Sequence, residues 1–184
     1  MHSTFTAGLM VLGWAPMLVR LRATRPVTAP RFDRGLLILT WILCMSLTAA
    51  STWDAAHAMP HASRRVAAGI AVQWAAMSAW SWARASMGAA FAQTGVPPHL
   101  VARGLYRRVR HPMYVATAVA ALGLALAGGR QRDFALWVFL CSVFVLRAWR
   151  EERVLRQRFA DGWDAYASRT LGLLPPHRSA ASHH

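Results

Sequence analysis

The sequence predicts an all-α integral membrane protein: a bundle of about five transmembrane helices with a cytoplasmic C-terminal helical segment. Four runs, residues 1–19, 35–53, 66–83 and 112–129, contain no Asp, Glu, Lys or Arg. About 18 such residues suffice to cross ~30 Å of hydrocarbon as helix. Only 15% of the chain is charged, against roughly a quarter in a soluble domain, and a soluble surface could not be built from what the runs leave over. Proline and glycine breakers separate each run from the next.

The first run has no positively charged segment before it, and its arginines follow the apolar stretch. It is therefore expected to be a retained first helix with its N-terminus outside, not a signal peptide. Pro26 and Pro30 interrupt the loop that follows, and Asp33 can cap the second helix. Pro60 precedes the third, and Ala- and Ser-rich sequence at residues 77–90 offers small side chains for close helix contact. Pro97 and Pro98 separate the third from the fourth, which Gly128 and Gly129 end. A fifth, shorter run at 134–146 continues past Arg147 through Trp149, and Pro175 and Pro176 close the last helical stretch.

The formal charge is +14, carried by 21 arginines and no lysine. The tryptophans lie inside apolar runs, which argues against a nucleic-acid surface. In a five-span arrangement 17 arginines fall on one side, and only Arg64, Arg65, Arg130 and Arg132 fall on the other. That asymmetry places the richer side, with the C-terminus, in the cytoplasm. An all-arginine, alanine-rich composition points to a bacterial inner membrane. Cys44 and Cys141 stand in separate spans without CxxC spacing and read as packing residues. His57, His61, His99, His177, His183 and His184 show no metal-ligand spacing, and GxGxxG, GxxxxGK[ST] and HExxH are absent.

Two polar stretches stand at the edges of the last hairpin: VRHPMY at 109–114 and RAWREERVL at 147–155. In this topology both lie at the cytoplasmic boundary. Pro112 suits the first turn of a helix, where its missing N–H has no partner to lose, and the free N–H groups after it favour an anion. The ordinary reading is that Arg110 anchors in lipid headgroups and His111 caps the helix. Arg147 and Glu151 lie within the cytoplasmic third of the fifth helix, where ionisable groups are costly unless paired or facing a hydrated cavity. Their spacing also allows a simple pair within the helix, in the weaker of its two orders. Tyr106, Tyr114, Trp163 and Tyr166 fit an interfacial aromatic belt, and an aromatic face can also attract a sulfonium or ammonium.

LVARGLYRRVRHPMY (100–114), followed after a hairpin by REERVLRQRFADGWDAYASRTLGLLP (150–175), resembles the isoprenylcysteine carboxyl methyltransferase family, which is related to phospholipid N-methyltransferases. The likeness covers the C-terminal half. It implies a single five-helix membrane domain over 1–184, with N-terminal spans in 1–95, a cofactor-binding region with its hairpin in 96–176, and a tail at 177–184. It also implies S-adenosyl-L-methionine as cofactor, bound without a Rossmann domain. Leu100 and Val101 would meet the adenine side through backbone contacts, Tyr106, His111, Pro112, Met113 and Tyr114 would line the pocket, and Glu151 would be its acidic anchor. Arg147 would bind the acceptor and is the one residue implied as catalytic. The implied partners are the lipid bilayer and a lipophilic or small methyl acceptor with a carboxylate or thiol. A phospholipid or amine acceptor, a non-catalytic protein of the same fold and a nicotinamide-dependent reductase are the alternatives. The sequence departs from the family pattern at Ala160, where the family has glycine, at Trp163, where it has tyrosine, and around His99.

Overall fold

The structure, a computed structural model, describes residues 2–15, 31–57, 63–88 and 99–173. Pro26, Pro30, Pro60, Pro97, Pro98, Pro175, Pro176, Arg20, Arg22, Arg25, Arg178, His61, His177, His183 and His184 lie outside the described residues. So do the side chains of Arg31, Asp33 and Arg34.

Among the described residues the fold is all-helical. Five α-helices fall on the five apolar runs: α1 (His2–Leu12), α2 (Arg31–Ala56), α3 (Ser63–Met87), α4 (Pro112–Gly128) and α5 (Gln131–Ala167). A 3-10 turn, Gly104–Arg107, precedes α4. One helical stretch, Gly35–Ala56, is long and apolar enough to cross a membrane, with mean hydropathy 1.7, and α4 is a shorter apolar helix. In α3, Gln73, Ser78 and Ser81 inside the run lower the average, and in α5 Asp133 and Arg147 limit the uncharged stretch to residues 134–146. α5 counts 37 residues across a kink at Ala160. Up to that kink it runs about 43 Å from the apolar run through the arginine-rich stretch, so the expected C-terminal helical segment begins as a continuation of the fifth helix.

Helix ends follow local rules. Pro112 opens α4, and Gly129 closes it in the left-handed conformation at φ 69°, its N–H donating to the Ala125 carbonyl. The two-residue link to α5 makes the hairpin. Close approach of α3 and α4 depends on paired glycines: a Cβ on Gly69 would lie 2.4 Å from the Gly123 carbonyl oxygen, and one on Gly123 would lie 2.5 Å from that of Gly69. The small residues that matter most therefore stand nearer the start of α3 than residues 77–90, although Ala83 in that stretch is fully buried against Val101 and Tyr106.

Polar side chains tie the helices across the apolar core. Trp14 Nε1 donates to Thr48 Oγ1 at 3.0 Å, Gln73 Nε2 to the Met10 carbonyl at 2.8 Å, and Trp137 Nε1 to the Ala118 carbonyl at 2.9 Å. Cys44 is buried, Cys141 is half-buried, and both are free thiols, in keeping with a packing role. Three of the four arginines set apart by sequence meet at one end of the bundle. Arg132 pairs with Asp54 at 2.7 Å, Arg130 lies 3.7 Å from the same carboxylate, and Arg65 donates to the Gly128 carbonyl. The RHP stretch and the charged half of α5 occupy the opposite end.

Near its C-terminal end α5 kinks at Ala160, which takes φ 41° and ψ −119°. An alanine pays steric strain in this region where glycine does not, and this is the position where the resembled family carries glycine. Ala160→Gly is accordingly expected to stabilise the protein by about 1 kcal/mol, read as a higher midpoint in thermal unfolding of the detergent-solubilised protein. A lower midpoint would show that the kink is not held at positive φ.

Candidate active site

The site is built where the segment before α4 meets the middle of α5. Arg110 does not reach for headgroups: its side chain is only 2% exposed, and Nη1 donates to Glu152 Oε2 at 2.8 Å. His111 stands at the N-cap of α4 but caps nothing with its side chain. Its Nε2 instead lies 2.9 Å from Glu152 Oε1, and its Nδ1 lies 3.7 Å from Glu151 Oε2. Each oxygen of Glu152 thus serves a different partner from the RHP stretch. Removing one member of such a buried pair leaves the other charge uncompensated, typically at a cost of roughly 3–5 kcal/mol.

Glu151 points elsewhere. Consecutive helical residues diverge by about 100°, so with Glu152 turned inward its neighbour faces the exposed edge of this cluster, its mouth, where 40% of the Glu151 side chain is exposed. Tyr114 Oη donates to Glu151 Oε2 at 3.0 Å, and the Tyr114 ring stacks with His111 and Phe144 at centroid distances of 5.4 and 5.3 Å. Arg147 does not form the simple pair with Glu151 that their spacing allows. Its guanidinium carbon lies 5.2 Å from the centre of the Tyr114 ring, and Nη1 donates to Thr40 Oγ1 on α2 at 3.1 Å.

The remaining expected residues divide into two groups. Tyr106 is buried with Val101 and Ala83, and Met113 packs between that cluster and the main core. Pro112 is buried at the start of α4. Leu100 turns the other way, onto Leu155, Trp163 and Ala167. It walls an open groove of about 490 Å³ with Ala102, Arg107, Gly162, Tyr166 and Arg169. The side chains of Leu100 and Val101 therefore do not share one surface. Trp163 is 2% exposed, a core residue and not part of an aromatic belt.

Tyr166 joins the groove to the Tyr106 cluster by donating its Oη to the Tyr106 carbonyl at 2.9 Å. Burial pushes the Tyr166 phenol up to about 12; Arg110 opposes this shift, while Glu151 and Glu152 add to it. Burial, with the charge of Glu151 second, also raises the Tyr106 phenol well above its ordinary value. Both phenols stay protonated at neutral pH, which keeps the Tyr166 donor in place.

The segment after α5 returns to brace the RHP stretch. Arg110 N–H donates to the Leu171 carbonyl and Leu171 N–H to the Arg108 carbonyl, both at 2.8 Å. Gly172 lies flat against the Arg110 guanidinium, where a Cβ would fall 2.1 Å from Nη2. Sequence reading missed Glu152, Thr40 and Gly172 as contributors. The adjacent glutamates were the available signal for Glu152, since two neighbours on a helix cannot face the same way.

With this geometry in view, the profile of the phospholipid methyltransferase family matches residues 62–162, more than half of the chain. The chain belongs to the phospholipid methyltransferase family. The matched span takes in α3, the RHP stretch, the α4–α5 hairpin, Arg147 and both glutamates, and ends at Gly162, on the groove wall. No curated protein and no solved structure matches the chain. Methyltransferase chemistry at a membrane, which the resemblance implied, is thereby supported at the level of the family.

The brace by Gly172 makes a contrast that can be measured. Gly172→Val should push Arg110 off Glu152 and destabilise the fold by about 3 kcal/mol. Gly162→Ala, whose new methyl would meet only Leu100 Cδ1 at 3.9 Å, should leave stability close to wild type. Equal unfolding midpoints for the two variants would contradict the packing described.

Proposed function

We propose that the protein is an S-adenosylmethionine-dependent methyltransferase embedded in the membrane as five spans. In this reading the active site opens at the cytoplasmic end, the N-terminus lies outside and the methyl acceptor enters from the bilayer. The observation that carries the reading is the Glu152 clamp. By fixing the RHP stretch to α5, it supports a contact cluster of His111, Tyr114, Arg147 and Glu151, spread over 40 positions of the chain, while Tyr106 is buried in the neighbouring cluster with Val101. The embedding is supported by large apolar side chains left exposed on every helix: Val11, Ile38 and Ile42, Trp82, Val119, and Val138 with Phe139. So much outward apolar surface calls for lipid or a partner.

The residues present fit the cofactor. Glu152 is committed to Arg110 and His111, so the exposed carboxylate of Glu151 is the one able to accept hydrogen bonds from an ammonium. The groove walled by Leu100, with Tyr166 linking it to Tyr106, offers room for a nucleoside. Leu100, Val101, Tyr106, His111, Pro112, Met113, Tyr114 and Glu151 are the residues that would hold S-adenosylmethionine, which supplies an electrophilic methyl on a sulfonium.

The chain's own contribution is alignment and exclusion of water, the two things an in-line displacement needs most. Arg147, held over the Tyr114 ring, orients the anionic group of the acceptor. A carboxylate or thiolate arrives already charged and needs no base in the site, and the arginine-rich vestibule favours the thiolate of a thiol acceptor. This makes a lipophilic or small carboxylate or thiol, as in the isoprenylcysteine branch, the first candidate for the acceptor. A phospholipid amine is the second reading, favoured by the matched family, with Arg147 then holding the phosphodiester.

Methyl-label transfer to prenylcysteine, a small thiol and phosphatidylethanolamine, offered in parallel to the purified protein, tests the proposal. Label should pass to at least one. Wild-type protein that binds no S-adenosylhomocysteine would overturn the reading. Glu151→Gln is expected to weaken S-adenosylhomocysteine binding about tenfold or more, while Arg147→Ala should impair acceptor turnover and leave that binding intact. Equal loss of both functions in Arg147→Ala would contradict the division of roles.

A further inference from the structure

Thr40 lies on α2, outside the residues matched by the family profile, yet it accepts a hydrogen bond from Arg147, which Tyr114 meets from its other side. It is 4% exposed, and its Oγ1 donates its one proton to the Leu36 carbonyl at 2.7 Å. The oxygen can therefore only accept from Arg147, whose Nη1 lies 3.1 Å away. A hydroxyl free to rotate would hold an arginine loosely. One already committed to the backbone of its own helix presents a lone pair in a fixed direction.

The electrostatics of the contact are as informative as its geometry. Among the described residues Arg147 has no carboxylate partner. Glu151, one helical turn away, gives Oε2 to Tyr114, and Glu152 is taken by Arg110 and His111. Arg147 is steadied by a neutral oxygen and an aromatic ring, neither of which cancels its charge. A carboxylate in place of Thr40 would hold the guanidinium equally well but would neutralise it. Threonine orients the arginine and leaves its charge available for an anion.

We infer that Thr40 is a positioning residue for the methyl acceptor: it aims Arg147 at the acceptor's anionic group and so sets acceptor affinity from a helix that the cofactor residues do not include. The inference rests on the methyltransferase reading above. The anion is the reacting carboxylate or thiolate in one class of acceptor and the phosphodiester in a phospholipid, and the choice of acceptor tells them apart.

The test uses full-length protein in nanodiscs. The acceptor KM, kcat and the S-adenosylhomocysteine dissociation constant are measured for wild type, Thr40→Val and Thr40→Ser, with whichever of prenylcysteine, a small thiol or phosphatidylethanolamine the wild type methylates. Valine keeps the branched shape and removes the acceptor oxygen; serine keeps the oxygen. Thr40→Val should raise the acceptor KM about tenfold, with a smaller change in kcat and S-adenosylhomocysteine binding retained, which also shows that the variant folds. Thr40→Ser should return KM close to the wild-type value. An unchanged KM in Thr40→Val, a serine variant as impaired as the valine one, or parallel loss of S-adenosylhomocysteine binding would each overturn the role of Thr40 while the wild type remained active. Wild type silent towards all three acceptors and towards S-adenosylhomocysteine would instead remove the underlying reading, and this inference with it.

Discussion

Glu152 is the residue on which the arrangement of the site depends. Its two oxygens are given to two neighbouring residues of another segment, Arg110 at 2.8 Å and His111 at 2.9 Å, in surroundings that leave the arginine side chain 2% exposed. Outside water, an unpaired guanidinium or carboxylate would be costly. The two segments are therefore bound to each other more tightly than apolar packing alone would bind them. Because the pair fixes the rotation of α5, it also decides where the neighbouring residues go: Glu151 to the mouth, and Arg147 over Tyr114.

The same segment is held from a second side. The backbone exchange between Leu171 and residues 108 and 110, the close seat of Gly172 on Arg110, and the Tyr166 bond to the Tyr106 carbonyl brace the RHP stretch from below. That return is possible because α5 kinks at Ala160 and ends soon afterwards. A loop of small and basic residues, which alone would have no fixed conformation, is thus clamped between the body of α5 and the chain beyond its end. Such support from surrounding structure is what a site that works by alignment requires.

Much of this was legible in the sequence because it follows from composition along the chain. Five apolar runs became five helices, Pro112 opened a helix, and Gly129 closed one at positive φ. The convergence of the RHP stretch with the Arg147–Glu152 region followed from the parity of the hairpin. What stayed hidden depends on rotation about helix axes and on contacts far apart in sequence. Nothing local distinguishes Glu151 from Glu152, and Arg110 reads as an interfacial anchor until Glu152 is seen behind it. Thr40 is one of several hydroxyls in an apolar helix, and its significance lies 107 positions away. Trp163 reads as an interfacial aromatic because burial at the end of α5 depends on Leu100. Gly69 and Gly123 are single glycines in separate runs, and only the crossing of α3 and α4 makes them a pair.

A double-mutant cycle between Arg110 and Glu152 addresses the central claim most directly. Unfolding free energies would be measured in the same detergent for wild type, Arg110→Met, Glu152→Gln and the double variant. If the clamp holds the site together, Glu152→Gln leaves the Arg110 guanidinium without its carboxylate, and Arg110→Met leaves Glu152 with His111 alone. The double variant should then be less damaged than the sum of the singles by about 2 kcal/mol or more. Additive losses, within about 0.5 kcal/mol, would mean that the two residues act independently and that something else assembles the mouth.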